Sequence, residues 1–69
     1  MASYSIYHGK GNAPKEYKLI AATPSIIQRN AAIKNLHKRG ENVLVLTYEN
    51  NTVYASHYLA PKQRKEGTI

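Results

Sequence analysis

The sequence predicts a small single α+β domain in the order β-β-α-β-β: a mostly antiparallel sheet with one helix on one face. Three features carry that expectation. Residues 24–39 place apolar side chains at helical spacing between a start and a stop signal. The segments on either side of Asn50-Asn51 are rich in Val, Leu, Thr and Tyr and read as two strands of a hairpin. Residues 3–8 alternate in a strand-like manner. With 69 residues the chain has room for one domain. A chain of that size hides only about 60% of its unfolded surface, so its core is thin. It has no Cys, and therefore neither a disulfide nor a thiolate metal site to compensate.

Taken in order, Tyr4, Ile6 and His8 alternate with Ser3, Ser5 and Tyr7, which predicts a first strand. His8 to Pro14 holds Gly9, Gly11, Asn12 and Pro14 and reads as a loop. Gly9-Lys10-Gly11-Asn12 is not a Walker phosphate loop, because it leads into a strand and lacks the Gly-Lys-Ser/Thr ending. Residues 15–22 predict a second strand, with Tyr17, Leu19 and Ala21 on one side and Lys18, Ile20 and Ala22 on the other.

The helix is expected from Pro24 to Arg39. Thr23 is its cap, and Ser25 with Gln28 forms an alternative capping box. Gly40 suits the left-handed residue after the helix. Ile26, Ala32, Ile33 and Leu36 share one face, and Arg29 falls inside that apolar arc. Its stem can snorkel to the edge, or its planar fork can anchor a phosphate or carboxylate.

The hairpin runs from Glu41 to Glu49 and from Thr52 to Leu59. Asn tolerates the positive φ of a two-residue turn at positions 50 and 51. That turn pairs Tyr48 with Val53, Leu46 with Ala55, Leu44 with His57 and Asn42 with Leu59. On the other side it pairs Thr47 with Tyr54, Val45 with Ser56 and Val43 with Tyr58. The face with Leu44, Leu46, Tyr48, Val53, Ala55 and Leu59 is assigned to the helix, which leaves Tyr54 and Tyr58 on an open face. The compact domain is expected over 1–60, and residues 61–69 as a basic, flexible C-terminal tail.

Ten Lys+Arg against four Asp+Glu give a charge of +6 and a pI near 9.8. Residues 1–59 hold seven cations and three anions, so +4 of the charge belongs to the body and +2 to the tail. The cations fall in three groups: Lys10, Lys15 and Lys18; Lys34, Lys38 and Arg39; and Lys62, Arg64 and Lys65. Such an excess attracts polyanions. Tyrosines on an open sheet can also stack on bases. The expected partner is therefore nucleic acid, RNA or DNA. The expected site is Lys10, Lys15, Lys18, Arg29, Lys34, Lys38, Arg39, Lys62, Arg64 and Lys65 with Tyr54 and Tyr58.

The alternative is a phage- or mobile-element-type accessory protein. It would bind and inhibit or redirect a host protein through its sheet face or edge. Pairing of two copies as a homodimer is a related alternative. The four Glu and three His form no acid pair and no short metal signature, so neither catalysis, a cofactor nor a metal is expected. No apolar run approaches the roughly 18 residues of a membrane span, and the first residues do not read as a secretory signal. A soluble, cytoplasmic protein is the expectation.

Overall fold

The computed structural model describes residues 2–61. Strands β1 (Ser3–Gly9) and β2 (Lys18–Thr23) precede helix α1 (Ile26–Lys38), and β3 (Asn42–Glu49) and β4 (Thr52–Tyr58) follow it. They form one sheet in the order β2-β1-β3-β4, with every neighbouring pair antiparallel. This is the small α+β arrangement the sequence predicts. The expected tail, with Lys62, Arg64 and Lys65, lies outside the described residues.

The hairpin follows from its turn. Asn50 and Asn51 have φ of 48° and 65°, as a two-residue turn of this hand requires. The register then runs from Glu49 opposite Thr52 to Val43 opposite Tyr58. β4 ends at Tyr58, so the expected pairing of Asn42 with Leu59 is replaced. The Asn42 side chain instead accepts the Ala60 N–H at 2.9 Å, which ties the chain after β4 to the base of β3.

The helix starts after its second cap signal rather than its first. Ser25 is the N-cap and its Oγ accepts the Gln28 N–H at 3.2 Å, while Thr23 Oγ1 accepts the Ser25 N–H at 3.0 Å. Gly40, at φ 78°, supplies the left-handed residue that ends it. At the start of the second strand Pro14–Glu16 form a short 3₁₀ turn instead of strand, with the Tyr17 N–H donating to the Pro14 carbonyl. β2 also carries an irregularity opposite Ile6 and Tyr7. Ala21 pairs with Ile6 but Leu19 with Tyr7, so Ile20 is left over and the expected alternation breaks.

The helix covers the face opposite to the one expected. Leu36 is buried with Tyr4, Ile6, Val43 and Val45, and Ala21, Ala32, Ile33 and Tyr58 pack around them. Among the described residues, the Leu44–Leu46–Tyr48 side of β3 is therefore the open one. β1 decides the matter. It lies beside β3, and its Ile6 is level with Val45 while its Ser5 is level with Leu46. The face with an isoleucine and a tyrosine at its centre buries more apolar area than the face with serines there.

Candidate functional site

The two sides of the sheet differ in charge. On the open side the register forms three cross-strand rows: Leu19–Tyr7–Leu44–His57, Ala22–Ser5–Leu46–Ala55, and Ser3–Tyr48–Val53. Among the described residues, none of these strand positions holds Lys, Arg or Glu. The described cations lie elsewhere. Lys34 and Lys38 are one helical turn apart on the outward side of α1, with exposed Ile27 and Ala31 on the same stripe. Lys15 is exposed on the 3₁₀ turn, and Lys18 lies beside His8 at the start of β2.

One end of the molecule concentrates charge around Glu41. The Glu41 carboxylate hydrogen-bonds His8 Nδ1, and Arg39 Nη2 lies 3.6 Å from its second oxygen. The His8 hydrogen bond holds the Glu41 carboxyl below its ordinary range. Burial opposes that effect, and the charges of Arg39 and Lys10 reinforce it. One carboxylate thus sits among His8, Lys10 and Arg39, beside the C-terminus of α1, where cations also favour the helix dipole. His8 is engaged by this carboxylate.

Arg29 takes the snorkelling course. Its guanidinium lies 5.2 Å from the centre of the Tyr4 ring and donates to Asn30 Oδ1 at 2.6 and 3.0 Å. The two tyrosines expected on an open face are on the helix-covered side instead. Tyr58 packs against the core, and its carbonyl accepts a hydrogen bond from His37 Nε2 at 3.2 Å. Tyr54, on edge strand β4, keeps 50% of its surface exposed. The tyrosines that do border the open face are Tyr7 and Tyr48.

A polar cluster that sequence reasoning missed closes one end of the open face. The Tyr17 ring lies over Gly9, where an added Cβ would collide with it. Its hydroxyl donates to the Gly11 carbonyl at 2.5 Å and lies 2.8 Å from His57 Nε2. With the hydroxyl proton committed to Gly11, the histidine is the donor to the tyrosine oxygen. Asn42 Nδ2 donates to the same carbonyl at 3.0 Å. His57 therefore faces Leu44 as expected, but on the open side and held by a tyrosine. The two glycines of the loop were the available signal: Gly9 makes room for the ring and Gly11 presents its carbonyl.

Among the described residues, no group of three His, Cys, Asp or Glu is placed to hold a metal ion. No helix among them is long and apolar enough to cross a membrane. No protein-family model, no curated protein and no solved structure matches the chain.

Proposed function

We propose that this is a binding protein that holds nucleic acid, RNA or DNA, by its phosphate backbone on the basic side of the molecule. The observation that carries this reading is the segregation of charge. Lys10, Lys15, Lys18, Lys34, Lys38 and Arg39 all lie off the open sheet face. They stand on the outward side of α1, at its C-terminal end, in the β1–β2 connection and at the start of β2. Ammonium groups attract phosphates without reading base sequence, so the binding is of low specificity. Arg29, held by Tyr4 and Asn30, adds a cation on α1. On the helix-covered side half-exposed Tyr54 is available for stacking, while Tyr58 supports the core. By sequence Lys62, Arg64 and Lys65 extend the same charge. The cytoplasm, where nucleic acid is accessible, is the compartment this reading implies.

Fluorescence anisotropy of labelled single-stranded and duplex oligonucleotides across a salt series tests it. The logarithm of the binding constant should fall linearly with the logarithm of salt concentration. Each phosphate neutralised contributes about −0.9 to the slope on duplex DNA and about −0.7 on single strands. Binding that is absent at low salt, or indifferent to salt, overturns the reading.

The uncovered apolar sheet face favours a second reading, an accessory protein that docks on a host protein. In that case Val53→Lys removes partner binding and Lys34→Ala with Lys38→Ala does not.

A further inference from the structure

The open face of the sheet joins three observations. First, it is apolar and exposed. Leu19 and Val53 each keep 57% of their surface and Tyr48 keeps 39%, while Tyr7, Leu44 and Leu46 between them are only partly covered. A contiguous apolar patch of this kind is often a functional surface. Second, the face carries no Lys, Arg or Glu at any strand position, although the chain carries a charge of +6. A phosphate or a carboxylate finds no Lys or Arg there to pair with. Third, the face has the area of a weak dimer contact. Four strands at about 4.8 Å spacing, each about seven residues long at about 3.3 Å per residue, make a rectangle of roughly 440 Å². Two such rectangles come to roughly 900 Å² even when treated as flat. That falls below the roughly 1,200 Å² at which stable specific interfaces begin and in the range of weak, transient contacts, and projecting side chains add to it.

From these we infer that the open face is the interface of a homodimer, in which two copies pack sheet against sheet. The occupant of matching size and chemistry is a second copy of the same face. A two-fold axis brings these mainly apolar rows, with Ser3, Ser5 and His57 among them, onto one another, as in a sandwich of two sheets. No like charges meet at the strand positions, and both lysine-bearing helices point outward. The dimer uses a different surface from the proposed phosphate site and does not depend on it. Its salt response is also of opposite sign. Two copies of a +6 chain repel at long range, so screening favours their association while it weakens phosphate binding.

The test is sedimentation velocity on the full chain, treated with nuclease, over a concentration series at low and high salt. The mass should rise twofold with concentration, with a dissociation constant on the order of micromolar given so small an interface, and the dimer should tighten at high salt. Leu19→Lys and Val53→Lys, both at exposed positions, should each weaken the dimer at least about tenfold with the circular dichroism spectrum unchanged. Leu19 also separates two geometries, because β2 and β4 are opposite edges of the sheet. A dimer that pairs β4 with β4 survives Leu19→Lys, and that result overturns the proposal. So does a single-copy mass at every concentration, which would leave the face to a host protein, and so does a dimer that disappears on nuclease treatment or with rising salt.

Discussion

The covered and open faces of the sheet are made of similar strands and meet different fates. β3 offers Val43 and Val45 to one side and Leu44 and Leu46 to the other, so its own apolar content does not choose between them. The neighbouring central strand does. β1 presents Tyr4 and Ile6 on one side and Ser3, Ser5 and Tyr7 on the other. The helix lies over the side where both middle strands are apolar. A helix chooses a face by what the two central strands add up to, and a hairpin read alone shows only half of that sum.

The largest test of the comparison is Ile6→Ala. Ile6, on β1 beside β3, is fully buried in the core with Leu36 of α1, and its truncation should cost about 2–5 kcal/mol. A domain of this size holds only about 3–5 kcal/mol in all. Val53→Ala on the open face should change stability by no more than about 0.5 kcal/mol in dilute protein. Chemical denaturation followed by circular dichroism gives both values, and similar losses would break the comparison.

Next comes Gly9→Ala, which drives a methyl into the Tyr17 ring and displaces it from Gly11 and His57. Overpacking of this kind should cost about 1–3 kcal/mol. A neutral result in the same denaturation assay would mean that Tyr17 does not close that end of the open face.

Glu41→Gln should cost about 1 kcal/mol near neutral pH by weakening a charged hydrogen bond. The folded carboxyl titrates below its ordinary value of 4.5. Its contribution is therefore complete above that value and is lost as pH falls through the lowered folded one. The difference between wild type and Glu41→Gln should shrink over that acid window. A gap that stays constant as pH falls would contradict the assignment.

The smallest expected effect on stability is that of Lys34→Ala with Lys38→Ala, within about 0.5 kcal/mol for each exposed position. The same pair should reduce the salt slope of oligonucleotide binding by about 1 for each phosphate that a removed ammonium group neutralised. An unchanged slope would remove the outer stripe of α1 from the proposed site.

Much of the fold was legible in local chemistry. Asn50-Asn51 set the hairpin register, and Ser25, Gln28 and Gly40 bounded the helix. Two things were not legible, for physical reasons. The break in β2 falls in the run Leu19-Ile20-Ala21-Ala22, where no polar residue marks which way a side chain points. The choice of face needed β1 placed beside β3, a pairing between strands separated by β2 and the helix. Once they are adjacent, Ser3 and Ser5 mark the open side. The cationic residues were legible by type, but their segregation from the open face emerged only with the strand order. Tyr54 and Tyr58 moved to the covered side for the same reason.

The two sides of the molecule do different work under the proposed function: phosphates meet the basic side, and the open sheet face takes no part in holding them. Amide chemical-shift mapping by NMR, on titrating a short oligonucleotide at low salt, tests this division most directly. The expected result is shifts at Lys10, Lys15, Lys34, Lys38 and Arg39, with Leu19, Leu44, Leu46 and Val53 unmoved. Shifts concentrated on those four open-face residues, or none at all, would contradict it.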